Sequence, residues 1–417
     1  MTPQSLATLK EDVTARLLRY VAFDTGARFD TPSPSSPGQR ELGALLVEEM
    51  RAIGLTEIEV DGVGIVTATL PATVGYAERP TIGYLAHLDT SPEASGAGIR
   101  PQIIRRYDGA PIQYPAVLGL EISPATLDEL AGCVGHDLVV TDGTTLLGAD
   151  DKSGVAAIMA ACAYLAAHPE IPRPRIRVGM TVDEEIGQGI LHFDIERFGA
   201  ACAYTLDDDA AGTLAIETFS ADLAIVRVRG KNSHPGTARG RMANALRVVS
   251  EVVAAIPPPM TPETTDARQG FLHAYETSGT VAHAEAHVLV RDFATAGLAA
   301  KEDLLRTILS AALARHPGAE GEIEVRKQYR NMADRLRKAP DVAARAEAAI
   351  RRLGLTPKRT EIRGGTDGSQ LTERGLPCPN LFAGWHNAHA VTEWACLDDM
   401  ALSAATLVLL AEEWSRP

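Results

Sequence analysis

Four apolar segments of this chain run straight into histidine or carboxylate residues: TIGYLAHLD (81–89), DLVVTDGTTLLGADD (137–151), RIRVGMTVDEE (175–185) and ACAYTLDDD (201–209). Short apolar runs alternating with helical stretches are the pattern of buried strands in an α/β sheet. Such a sheet collects ligand chemistry beyond the carboxyl ends of its strands. The repeat therefore constrains the chain twice, to an α/β fold and to a polar site along one edge of its sheet.

The second segment carries the most information. Thr144–Gly154, TTLLGADDKSG, leaves an apolar strand, puts Asp150 and Asp151 side by side, and enters the small-residue helix SGVAAIMAACAYLAAH. An aspartate so placed can hold one metal ion or bridge two. Asp-Gly-Thr at 142–144 is not a phosphatase loop, because Val140 stands where the first acid is required. Lys152-Ser153 does not end a phosphate loop, because Asp150 and Asp151 occupy positions that need glycine and backbone donors. Taken alone, the stretch also fits a helix N-terminus decorated with acids that its dipole favours.

In the first segment His87 and Asp89 are two residues apart, so on an extended chain they face the same side. Asp89 can then take the second ring N–H of His87 and fix its tautomer. Glu184 and Glu185 are adjacent and point in different directions, so one can bind a metal while its neighbour reaches a water on that metal. His386 and His389 follow the short strand NLF, and either can supply a last ligand. Arg363, beside two glycines, offers a guanidinium fork for a carboxylate. His234, before Pro-Gly in the basic loop KNSHPGTARGRM, reads on its own as a turn residue.

A length of 417 residues with 45% hydrophobic content allows one to three domains with ample core. A net charge of −14 argues against nucleic acid and anionic membranes as partners. Cys133, Cys162, Cys202, Cys378 and Cys396 form no CxxC pair, and three of them (Cys162, Cys202, Cys378) sit in apolar or small-residue runs. That usage fits reduced, mostly buried thiols and a cytoplasmic location. The amphipathic start has no apolar signal core, and no long uncharged span follows. Leu6, Leu9, Val13, Leu17 and Tyr20 predict a helix over about 5–21. Ser36 is the expected N-cap of the next helix, with Pro37 as its first residue and Gln39 as capping-box partner. Residues 218–330 follow a β-α-β-β-α-β order, the ferredoxin-like unit. The domain reading is a catalytic domain from 1–217 and 331–417, interrupted by an inserted domain over 218–330.

HLDTSP (87–92), TDGTTLLGADDKSG (141–154), DEEIG (183–187), AYTLD (203–207), HPGTARG (234–240), RDF (291–293), RGGTDGSQL (363–371) and GLPCPNLF (375–382) together resemble the peptidase T family. These are tripeptide aminopeptidases of the di-zinc aminoacylase/acetylornithine deacetylase superfamily, and the resemblance extends over nearly the full length. It implies an α/β, di-zinc exopeptidase-type catalytic domain with a mixed sheet and flanking helices, and a ferredoxin-like α+β lid. It implies that His87 and Asp207 bind one Zn2+, that Glu185 and His389 bind the other, and that Asp150 bridges them across a cis Asp150–Asp151 bond. Mn2+ or Co2+ would fit the same donors. His389 is preferred to His386 on the Asn387-x-His389…Glu393 frame. Asp89 then orients His87, Glu184 is the general base, and His234 approaches the substrate carbonyl. Arg291 from the lid, Arg363 from the catalytic domain, and Asn331 are the substrate-binding candidates.

The implied activity is release of the N-terminal residue from tripeptides, in peptide catabolism. The implied partner is a small peptide, and a homodimer is left open. Several positions depart from the family pattern: Val182 replaces a proline, Asp208 and Asp209 replace glycines, Ser220 an asparagine and Arg330 a tyrosine. The nearest rival reading is a deacylase or dipeptidase acting on N-acyl amino acids with the same chemistry. The remote one is an inactive metal- or peptide-binding scaffold, against which the retained Glu184 argues.

Overall fold

Strands Ile176–Thr181, Ile82–His87, Cys202–Asp208 and Asn380–Phe382 run parallel at the centre of an eight-stranded sheet. The first two are buried along their whole length, and so they read as unbroken apolar runs. The computed structural model describes all 417 residues. Thr56–Val60 and Val66–Leu70 extend the sheet on one side in antiparallel fashion. Thr213–Thr218, antiparallel to Asn380–Phe382, and Lys358–Ile362 complete the other side. His87 pairs in register with Thr181, and Asn380 with Thr205. The parallel strands therefore end together, and His87, Asp183–Glu185 and Asp207 reach the same edge.

The chain forms two compact units, Met1–Ile216 with Asp334–Thr360 and Thr366–Pro417, and Glu217–Ala333 with Glu361–Gly365. In the first unit helix Ala149–Ala167 packs against the terminal helices Pro3–Tyr20 and Leu397–Ser415. It is buried on nearly all sides, which explains its small apolar composition in place of an amphipathic stripe. Gly154 is required there, because a Cβ would lie 2.3 Å from Asp151 Oδ1 and 2.4 Å from the Leu206 carbonyl. The core includes Leu9, Leu17, Leu46, Ile158, Val178 and Leu407, each contributing about 1.5–3 kcal/mol by burial. Two of its buried tyrosines find acceptors: Tyr84 donates to the Leu407 carbonyl at 2.8 Å, and Tyr204 to that of Val342 at 2.8 Å.

Local expectations fare unevenly. The Asp-Gly turn between Thr56–Val60 and Val66–Leu70 forms, with Asp61 Oδ1 accepting the N–H groups of Val63 and Ile65, both at 2.9 Å. The capping box does not form. Ser36 stands at the N-cap of helix Pro37–Ile53 but makes no side-chain cap. Gln39 instead donates to Asp183 at 2.8 Å, beside bonds from the Ser35 N–H and hydroxyl. The buried Asp183 carboxylate needs donors, and that tertiary demand overrides the local motif.

The second unit is a four-stranded antiparallel sheet in the order Phe271–Gly279, His283–Asp292, Ser220–Arg229, Glu320–Tyr329. Helices Ala245–Ala254 and Thr295–Arg315 pack on it through Val248, Val252, Leu305 and Leu309. Connection and strand order are ferredoxin-like, as the alternation of elements predicted. No helix of the chain is long and apolar enough to cross a membrane. All five cysteines are free and buried.

Candidate active site

At the carboxyl edge of the central sheet, the acids and histidines that the strand ends deliver converge. His87 Nε2 lies 3.1 Å from Asp150 Oδ1 and 3.9 Å from Asp207 Oδ1. The other Asp150 oxygen, Oδ2, lies 3.7 Å from His389 Nε2. Glu185 Oε2 is 2.9 Å from the same nitrogen. One carboxylate thus presents its two oxygens to two different histidines, the geometry of a bridging ligand. Donor atoms of His87, Glu184 and Asp207 lie within 4.8 Å of one another, as do those of His87, Asp150 and Glu185. The Asp150–Asp151 peptide is cis.

Crowding sets the electrostatics. Burial and then Asp150 raise Asp207 well above the usual carboxylate range, and burial and then Asp207 do the same to Glu184. Burial pushes Glu185 up to about 7. Burial also pushes Asp150 upward, but His389 and His87 outweigh it and hold the group at about 2. Asp150 and Glu185 lift His389 to about 11. For His87, burial is outweighed by Asp150 and Asp89, and its pKa is raised well above the ordinary value. A divalent cation among these groups would relieve the crowding of like charges and take the place of protons on the acids and imidazoles. Glu185 Oε1 is buried with no hydrogen-bond partner, and the donors are oxygen and nitrogen only. The residues fit hard-to-borderline divalent cations.

The supporting contacts are more extensive than the sequence pattern reveals. Asp89 faces His87 through its carbonyl, 3.1 Å from Nδ1, and through Oδ1 at 3.5 Å. Its carboxylate also accepts the N–H groups of Glu184 and Glu185, both at 3.0 Å, so it orients the glutamate pair as well. Glu393 accepts the N–H groups of Leu147, Gly148 and Asp150 at 2.7–2.9 Å, bracing the turn that carries Asp150. Gly148 adopts φ +71° in that turn. Glu93 lies 2.6 Å from His389 Nδ1. Glu93 has no signal beyond its position after HLDTSP, whereas Glu393 is visible only as part of the Asn-x-His…Glu frame. Asp208 is turned to Thr360, whose hydroxyl donates to it at 3.0 Å, and burial lifts it to about 6.

The remaining candidates belong to the second unit. His234 lies in an exposed loop with Nδ1 accepting the Gly236 N–H at 3.1 Å, which leaves the proton on Nε2. Arg291 stacks over Tyr329 at 4.9 Å, its Nη1 buried without a partner, and burial lowers its pKa to about 10. Arg363 does not come from the first unit: Glu361–Gly365 groups with the second. Its guanidinium donates to the carbonyls of Ala267 at 2.5 Å and Gln269 at 2.9 Å and stacks over Phe219 at 5.1 Å. Those bonds must break before it can clamp a carboxylate. The Asn331 amide is likewise engaged, accepting from Thr218 and Ala333 and donating to Glu217 and the Phe293 carbonyl.

The pattern that defines peptidase family M20/M25/M40 matches residues 136–413. A peptidase T of Geobacillus thermodenitrificans (strain NG80-2) is 42% identical over 401 residues, covering 96% of this chain and 97% of that one. Among solved structures, aminopeptidase PepT from Bacillus cereus ATCC 10987 superposes with a TM-score of 0.74 at 24% identity, covering 98% of this chain and 99% of that one. A tripeptidase from Staphylococcus aureus subsp. aureus Mu50 gives 0.76 at 20% identity with the same coverage. At those identities the structures speak for the fold.

Proposed function

The chain belongs to peptidase family M20/M25/M40 and within it to the peptidase T group, and from that premise we propose a two-metal aminopeptidase that releases the N-terminal residue of tripeptides. The observation that carries the reading is Asp150, with one oxygen toward His87 and the other toward His389. His87 and Asp207 would hold one divalent cation and Glu185 and His389 the other, with Asp150 shared. Zinc suits these donors, and manganese or cobalt would fit them too. Such ions, when bound, lower the pKa of a water to about 7 in good zinc sites and polarise the scissile carbonyl.

Glu185 is tied to His389 at 2.9 Å, which leaves Glu184 as the carboxylate for proton transfer. Glu184 takes a proton from the attacking water and delivers it to the leaving amine nitrogen. Asp89 holds both glutamates through their N–H groups and so keeps the base and the ligand from exchanging places. His234, protonated on Nε2, suits the oxyanion that develops on the substrate carbonyl. Arg291, with an unpaired buried Nη1, suits the substrate's terminal carboxylate better than Arg363 or Asn331, whose donors are committed. The five free cysteines support the cytoplasm as its compartment.

The test compares kcat/KM on one tripeptide, its N-acetyl form, its C-terminal amide, and the matching dipeptide and tetrapeptide. Free tripeptide is expected to be cleaved best, at the first bond, with activity removed by chelation and restored by zinc. Efficient cleavage of the acetylated form hands the case to the deacylase reading, and indifference to the amide removes Arg291 from the site.

A further inference from the structure

A second convergence of metal-binding side chains shares no residue with the peptidase donors. It lies on the small sheet that joins Trp385–His386, Trp394–Cys396, Leu138–Val140 and Gln102–Ile104. Cys133 closes the short helix Asp128–Gly132, His136 precedes Leu138–Val140, and His386 and Cys396 end their strands. Pairing of Cys396 with Leu138 and of His386 with Trp394 draws them together. His136 Nδ1 is 3.3 Å from Cys396 Sγ and 3.9 Å from Asp399 Oδ1. His386 Nε2 is 3.8 Å from Asp399 Oδ2. The Cys133 thiol donates to the Glu129 carbonyl at 3.4 Å and stands beside Cys396 and His386.

Packing alone does not account for His386. Its ring is 2% exposed and stacked on Trp394 at 5.1 Å, yet neither nitrogen has a hydrogen-bond partner. Two unpaired nitrogens on one buried imidazole are costly, and a cation would satisfy one of them. Separations of 3.8 and 3.9 Å are too long for hydrogen bonds. His136 Nδ1 and Cys396 Sγ, 3.3 Å apart, stand close to the separation of about 3.6 Å that nitrogen and sulfur donors keep around one tetrahedral ion. Asp398 also reaches His136 and Cys396, but Lys10 at 2.8 Å and the Asp137 N–H at 2.8 Å already hold it.

We propose that Cys133, Cys396, His136 and His386 bind one thiophilic divalent cation of the zinc class, with Asp399 beside the two imidazoles. Two thiolates and two imidazoles make a closed tetrahedral set, so the site is structural. His386 and Cys396 stand on the two stems of the 387–393 loop, which carries His389 and Glu393. The ion staples the base of that loop to helix Asp128–Gly132.

Cobalt(II) added to the full-length protein, after chelation under reducing conditions, reads this site without reference to activity. Thiolate-to-cobalt charge transfer absorbs in the near ultraviolet, and the peptidase donors contain no sulfur. The band is expected to saturate at one cobalt per chain, to be displaced by zinc, and to persist in Asp150→Ala. It is expected to weaken in His136→Asn and vanish in the Cys133→Ser/Cys396→Ser double variant. Wild-type protein without the band at saturating cobalt overturns the proposal, and so does a band unchanged in the double variant. The wild-type spectrum decides the matter even if the double variant fails to fold.

Discussion

His87 and His389 face the same aspartate and are held in opposite ways. His87 ends a fully buried strand, its N–H bonds Asp151 at 3.3 Å, and its ring is backed by Asp89. His389 sits on a loop at φ +63°, with a side chain 42% exposed and a partner, Glu93, that is 62% exposed. A left-handed conformation is costly for a residue with a Cβ, and an exposed ion pair is screened by water. One half of the site is therefore preorganised by the sheet. The other half has less to hold it in place, so the His87 half is expected to bind a divalent cation more tightly.

The severest challenge to that contrast is Asp150→Ala, which removes the only group common to both halves. Turnover should fall to background and both ions should be lost, as measured by metal analysis of the purified variant. Retention of two equivalents would mean that the halves are independent. Glu184→Gln should lower kcat by about a hundred- to ten-thousand-fold with the metal content unchanged; a metal-free product would mean that Glu184 and Glu185 exchange roles. The supporting carboxylates should then separate the halves. Asp89→Asn is expected to lower metal affinity or kcat/KM by about 10–100-fold. Glu93→Gln, at an exposed and screened pair, should cost less than about 10-fold and affect the more weakly held ion. Equal losses would erase the distinction.

The smallest effect is on the stability of the chelated protein. Burial lifts Glu185 and Glu393 to about 7 from an ordinary 4.5. Between those values the folded chain keeps protons that the unfolded chain releases, so stability falls as pH rises. His389, lifted to about 11 by Asp150 and Glu185, contributes stability that is complete below its ordinary 6.5 and lost toward 11. Both signs agree, and Tm of the metal-free protein should fall by several degrees between about pH 5.5 and about pH 8.5. Zinc, which displaces those protons, should restore it most at the alkaline end. A flat profile would remove the crowding argument.

The strand-end half of the site is legible in the sequence for a physical reason. A buried parallel strand is an apolar run, and where the run stops the next polar residue is at the sheet edge; His87, Glu184, Glu185 and Asp207 can all be read that way. The loop half has no such period. His386 and His389 are equivalent as pattern, and only the family resemblance chooses between them; in the fold His389 meets Asp150 and Glu185 while His386 turns toward Asp399. The carboxylates of Glu93 and Glu393 act across the fold: Glu93 leaves no local trace, and Glu393 shows only through the family frame that follows His389. Gln39 misleads for the converse reason, because a sound local rule for helix caps yields to a buried carboxylate from the sheet edge. Arg363 misleads because a glycine-flanked arginine looks available, whereas three backbone carbonyls hold it.

Glu393 has one consequence for how the protein is made. It holds the Asp150 turn from 243 residues downstream. A contact of such long range forms only after the intervening chain has been brought to order. Until then the turn that carries Asp150 lacks its brace, so a partly folded chain is expected to be a poor trap for metal.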